Sequence, residues 1–398
     1  DFFKNNYWFS RTNRKMMDEM ANHSTRFRKH IEKHGYDTVE KFADICLSME
    51  HLIDPYSMFM NRGPVDAPPP TDTRREAPTV TRYQAKDYMD RWINPKAALE
   101  AEAKKNREDA ARKKHATPAR PTRDVLLYLL QHARLEDWQT DILSIVREES
   151  YYFAPQGMTK IMNEGWATYW HSTLMTKHFV EAKEVVDYAD HHSGTVHMPP
   201  GGFNPYKIGV EMFRDIEDRW NKGKFGKDYE EADDLGAKKK WDKGLGLGRE
   251  KIFEVRRVYN DLTFVDEFMT PEFIEKHKFY QYGRDPHTGQ LRIVSRDPER
   301  IKQTLLYQIT NMGQPFIYVV DGNYGNRGEL YMAHQHNGLD IEIKYAVETL
   351  KNVHKLWHRP VHLQARIDDE MILFTFDGHQ PKQQTIHDDV PPPAHQVM

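Results

Sequence analysis

The chain has 398 residues, 57 Lys and Arg against 60 Asp and Glu, a formal net charge of −3 and a single cysteine. The near-even charge excludes the basic footprint that nucleic acid or an anionic membrane surface requires, and Cys46 alone excludes a disulfide framework and any Cys-rich zinc or iron–sulfur site. No run of about 18 apolar residues exists to span a bilayer, and Asp1-Phe2-Phe3-Lys4 has neither the positive nor the apolar region of a signal peptide. A lone thiol and no such segments read as a cytoplasmic protein. The length predicts two or three domains, and a hydrophobic content of 38% predicts a solvated stretch beside the core. The chain opens on Asp1 instead of Met, which reads as a piece of a longer protein.

Residues 1–60 read as an N-terminal helical segment. Phe27, Ile31 and His34, then Val39, Phe42, Ala43, Cys46 and Leu47, recur near helical spacing until Asp54-Pro55 closes the run. Cys46 is expected to pack there as an inert small hydrophobe. Residues 61–122 change character, with Pro64, Pro68, Pro69 and Pro70 among small and charged residues and almost no large apolar side chain over 97–114. Such a segment cannot offset its ordering entropy by burial, so it reads as a Pro-rich, charged linker holding one solvated helix. Asp124 is a helix cap before Val125-Leu126-Leu127, and three or four helices follow to about residue 222. They are separated at Pro155-Gln156-Gly157 and at the Gly/Pro-rich stretch 198–205, after which Asn204-Pro205-Tyr206 starts a helix over 207–220. Gly244-Leu245-Gly246-Leu247-Gly248 lacks the preceding strand of a dinucleotide site and reads as a loop. The helical core so defined covers 123–275.

From 276 to 377 the pattern changes to a small α+β domain. Strands are predicted at 279–283 and 291–295, a helix at 298–311 and a strand at 315–320. A strand at 330–336, a helix at 343–356 and strands at 361–367 and 371–376 complete it. A polar, Pro-rich stretch at 378–398 reads as a disordered tail. The fold class is therefore α+β, a predominantly α-helical body with a smaller C-terminal mixed α+β domain.

The densest chemistry lies between Glu148-Glu149 and His171. Glu164 and His171 are seven residues apart, a spacing that returns a helix to the same face within about 20°. A carboxylate and an imidazole on one face suit a divalent metal or an acid–base pair, and Glu148 or Glu149 on the preceding helix could supply a second carboxylate. The alternative is a buried helix with Trp166, Tyr169 and Trp170 in the core and Glu164 and His171 in hydrogen bonds. Asp190-His191-His192-Ser193-Gly194-Thr195-Val196-His197 could bring one imidazole, that of His192, beside Glu164, or could be a surface turn.

Several of these segments resemble the stage V sporulation protein R (SpoVR-like) family: residues 1–6, Ile45-Cys46-Leu47-Ser48-Met49-Glu50-His51-Leu52-Ile53-Asp54-Pro55, Met162-Asn163-Glu164-Gly165-Trp166-Ala167-Thr168-Tyr169-Trp170-His171, Asn204-Pro205-Tyr206, and Asn311-Met312-Gly313-Gln314-Pro315 with Asp321-Gly322-Asn323-Tyr324. The resemblance implies a role in sporulation, in spore cortex formation, or in a general stress response. It also implies operon partners, a serine protein kinase and a von Willebrand-type protein. Asn163-Glu164-Gly165-Trp166-Ala167 is further similar to the Asn-Glu-Gly-Phe-Ala motif of gluzincin metallopeptidases, whose Glu is a zinc ligand. In the SpoVR-like family two histidines four apart precede the segment matching Asp1-Phe2-Phe3. The resemblance thus implies a divalent metal, zinc foremost, on those histidines and Glu164, with His171 or His192, and with Glu148 or Glu149 activating water. Two functions follow, a metal-dependent hydrolase acting on an envelope or peptide substrate, or a non-catalytic scaffold for the kinase and its partner.

Overall fold

The computed structural model describes residues 1–59, 117–285 and 288–386, with isolated positions between 89 and 104. In chain order these hold helices α1 (Met16–His34), α2 (Tyr36–Leu47), α3 (Val125–His132), α4 (Asp137–Gly157), α5 (Lys160–Leu174), α6 (Val185–Thr195), α7 (Pro205–Lys222), α8 (Gly248–Val258), α9 (Asp261–Phe268) and α10 (Pro271–His277). The hairpin β1 (Gln281–Arg284) and β2 (Leu291–Ser295) follows, then α11 (Pro298–Ile309), β3 (Phe316–Tyr324), β4 (Glu329–Gln335), α12 (Ile343–Trp357), β5 (Val361–Ile367), β6 (Glu370–Phe376) and β7 (Pro381–Thr385). The fold is α+β, a helical body with a five-stranded mixed sheet toward the C-terminus. Among the described residues no helix is long and apolar enough to cross a membrane.

The chain divides into two compact units, one of Asp1–Met20 and Tyr151–Gln314, the other of Ala21–Ser150 and Pro315–Met398. The first unit is helical. Its core gathers Ile161, Met162, Trp166 and Tyr169 of α5, Ile208, Met212, Phe213 and Ile216 of α7, Ile252 and Val255 of α8, and Phe264 and Phe268 of α9. Two helix starts are capped locally. Asn204 accepts from the Tyr206 and Lys207 amides at 2.9 and 3.3 Å, and Asn260 and Thr263 form a reciprocal capping box.

The second unit builds a sheet in the order β3-β4-β5-β6-β7, with β4 and β5 parallel and all other pairs antiparallel. Helix α12 connects β4 to β5 and buries Leu350, Val353 and Leu356, packing on β5 and β6. Asp124 caps α3 through the Leu127 amide at 2.8 Å and is held by Arg147 at 2.7 Å. Gly35, at φ +86°, supplies the left-handed residue that separates α1 from α2.

Four expected boundaries move. The break expected at Pro155 comes after Gly157, because a proline in the last turn of α4 removes few helical bonds. The stretch 190–195, holding His191 and His192, is the end of α6 and not a turn. The C-terminal domain begins at Pro315 and not at 276. Phe279, Tyr280, Leu305, Leu306 and Ile309 pack against the first unit's core and carry β1, β2 and α11 with them. The tail expected from 378 contains β7, which pairs with β6 from Phe376↔Pro381 to Ile372↔Thr385. The expected linker lies almost wholly outside the described residues, but its end does not. Thr122 exchanges backbone hydrogen bonds with Val319 at 2.8 and 2.9 Å. Residues 387–398 also lie outside.

Candidate functional site

In the second unit α1 and α4 carry polar side chains at helical intervals. His23, Arg26, His30 and His34 follow one another on α1, and Trp138, Asp141, Glu148 and Glu149 stand on α4. The His23 ring is 5% exposed, with Nδ1 3.0 Å from Glu149 Oε1 and Nε2 3.2 Å from Glu148 Oε2. Glu148 is the more open carboxylate and also accepts from the Ser144 hydroxyl at 3.0 Å. Further along, Asp141 accepts from Arg26 Nε at 3.2 Å and meets His30 Nε2 at 2.7 Å. The Arg26 guanidinium, helped by His30, holds the Asp141 carboxyl below the usual carboxylate range. His34 stacks on Trp138 at 4.9 Å.

Ring nitrogens of an imidazole point in opposite directions, so Glu148 and Glu149 on the two sides of His23 cannot share one metal ion with it. What the arrangement can do is move protons. A proton gained at one nitrogen can leave from the other, with a carboxylate waiting at each. Glu148 and Glu149, candidates from the sequence, are thus brought together, and the histidine joining them is one the sequence reading does not single out.

Glu164, His171 and His192 lie in the first unit. Helix α5 is positioned by Asp261, whose carboxyl accepts from the Ile161 and Met162 amides at 2.8 and 2.9 Å and is pushed up to about 8 by complete burial. Trp166 and Tyr169 are core, and the Thr168 hydroxyl donates to the Glu164 carbonyl at 2.7 Å. The half-buried Glu164 carboxylate accepts from the Tyr206 hydroxyl and so raises that hydroxyl's pKa. His171 is exposed two turns on. Its ring and that of His192 both contact Tyr188, at ring distances of 5.9 and 5.8 Å. Burial lowers the His192 pKa, and the Arg214 cation lowers it further. Arg214 itself donates to Ser172 Oγ and Glu211 Oε1, each at 3.0 Å.

The histidine pair of the implied zinc site would precede Asp1, so Glu164, His171 and His192 are only part of the implied donor set. The cation neighbouring His192 is Arg214. Among the described residues no group of three or more His, Cys, Asp or Glu side chains could hold a metal ion.

Comparison with known proteins places these features in a family. The family described as "SpoVR like protein" matches residues 1–314, and the "SpoVR-like C-terminal domain" matches residues 315–368. The junction coincides with the boundary between the two units at Gln314 and Pro315. The chain is 28% identical over 400 residues to "Uncharacterized protein YcgB" of Escherichia coli (strain K12), covering 93% of this chain and 72% of the relative. No solved structure matches the chain. With 314 of its 398 residues matched by the first description alone, the chain belongs to the SpoVR-like family.

Proposed function

We propose that this chain serves sporulation, in spore cortex formation, or a general stress response, as a hydrolase-like protein whose acid–base centre is Glu148, His23 and Glu149. The observation that supports this reading is the buried His23 ring with a carboxylate 3.0 Å from one nitrogen and 3.2 Å from the other. Glu149 orients the ring through Nδ1. Nε2 exchanges its proton with Glu148, whose half-exposed carboxylate meets water or substrate. Acid–base catalysis of this kind supplies about 10²–10⁴-fold in rate. The substrate is an envelope glycan-peptide or a peptide, met in the cytoplasm.

The test incubates the purified chain with peptidoglycan fragments and with a peptide library, and follows cleavage by mass spectrometry. His23→Ala and Glu148→Gln should each lower cleavage by about 10²-fold with the fold intact by circular dichroism. Cleavage unchanged in both variants, or no cleavage by the wild-type chain, overturns the reading.

A second reading, a non-catalytic scaffold for the serine protein kinase and the von Willebrand-type protein, is favoured by β2, where Leu291, Ile293 and Val294 are exposed. Retention of the kinase on the immobilised chain, lost with Leu291→Asp and Val294→Asp, would support it. Equal retention by wild type and variant, or none, would sink it.

A further inference from the structure

The first unit contains a cavity of about 680 Å³, walled by residues 196–203, the first turn of α7, the chain from His277 to Tyr282, and one face of α11. That size lies within the range of pockets that enclose small molecules, roughly 300–1,000 Å³. Its lining is about half apolar, with Phe203, Ile208, Phe279, Tyr280, Ile301 and Leu305, and about half polar. The charged side chains that line it are Lys207 and Lys278, and no carboxylate lines it. Lys207 Nζ is 3.6 Å from Glu211, which also pairs with Arg214 at 3.0 Å. Lys278 makes no ion pair among the described residues. Two further polar atoms of the wall, His277 Nε2 and Gln281 Oε1, are buried with no hydrogen-bond partner among the described residues, and His277 Nε2 lies 3.9 Å from Glu211 Oε2.

A half-open cavity with an apolar wall on one part, two lysines on another and its nearest carboxylate, Glu211, behind Lys207 and His277 suits a molecule with an apolar body and a negative end. We infer that this cavity is a binding site for a small amphiphilic anion, its apolar body against Phe279, Ile301 and Leu305 and its charged head at Lys207 and Lys278. A neutral molecule of the same shape gains the apolar burial but not the charge-assisted contacts. A cationic one meets two ammonium groups. The site lies wholly within the first unit and does not depend on the acid–base centre of the second.

Isothermal titration with octanoate and with 1-octanol tests the inference on the full chain. Octanoate should bind at one molecule per chain, and 1-octanol about tenfold or more weaker, the worth of one charge-assisted contact. The double variant Lys207→Gln, Lys278→Asn should bind the two molecules equally. Leu305→Trp, which fills the cavity, should bind neither while keeping its circular dichroism spectrum. Equal affinity of the wild-type chain for octanoate and octanol overturns the charge assignment. No binding of octanoate by the wild type, or octanoate binding unchanged in both variants, overturns the site.

Discussion

Gly165 and Gly209 bring the backbones of α5 and α7 into direct contact. A Cβ on Gly165 would stand 2.4 Å from Gly209 Cα, and one on Gly209 would stand 2.2 Å from the Ile161 carbonyl oxygen. The obstructing atoms are backbone, so no side chain can swing aside, and the two helices must separate to admit a methyl group. Gly165→Ala and Gly209→Ala are each expected to cost about 3 kcal/mol, the upper part of the usual overpacking range. Urea denaturation measures it, and an unchanged midpoint for both would show that the crossing has slack. Gly165 belongs to the Asn163-Glu164-Gly165-Trp166 motif, so part of that motif serves helix packing. Trp166 serves it too, lying 4% exposed against Phe213 and Phe253.

The coupling of His23 to its carboxylates can be measured separately from any activity. Removing the ring leaves Glu148 and Glu149 side by side without the donor between them. His23→Ala should destabilise the chain at neutral pH by about 1–3 kcal/mol, the cost of stripping a partner from a buried polar group. In a double-mutant cycle with Glu149→Gln, the two substitutions should fall short of additivity by about 1 kcal/mol. Strict additivity would show that the 3.0 Å approach contributes nothing to stability.

Cys46 lies fully buried on α2, and burial pushes its thiol up to about 12. Alkylation requires the thiolate and access to it, and both are withheld in the native chain. Iodoacetamide at pH 8 should therefore leave Cys46 unmodified, and labelling in a urea series should follow the unfolding curve. Rapid labelling without denaturant would show that α2 opens locally.

The elements that the sequence foretold well are those with a strong local signature. β5 runs over Val361–Ile367 as its apolar residues require, and α12 ends at Trp357, one residue past its predicted limit. Asp124 and Asn204 cap the helices that follow them. β7 escaped because Pro-Lys-Gln-Gln-Thr at an edge has no buried face, and pairing with β6 alone makes it a strand. His23 escaped for a different reason. Its partners are 125 and 126 residues away in the chain, and such pairing leaves no trace in local periodicity. Its repetition with Arg26, His30 and His34 along one helical face was the available signal.

His334 on β4 should make stability fall in mild acid. The ring is 7% exposed, its Nδ1 has no hydrogen-bond partner among the described residues, and burial depresses its pKa to about 4. His336 lowers it further, and Asp340 works the other way. A histidine whose folded pKa lies below its unfolded value of 6.5 contributes fully above pH 6.5. As pH falls from there toward 4, the unfolded chain takes up the proton and the folded chain does not, so the folded state loses ground. A shift of that size is worth about 3 kcal/mol. Urea midpoints measured between pH 7 and pH 4 should decline in the wild type and decline less in His334→Leu, which keeps the site apolar and removes the titration. Parallel declines in the two proteins would place the acid sensitivity elsewhere, with Asp141 and Glu329 the first groups to examine, since each is held ionised by an arginine and a histidine that it would lose on protonation.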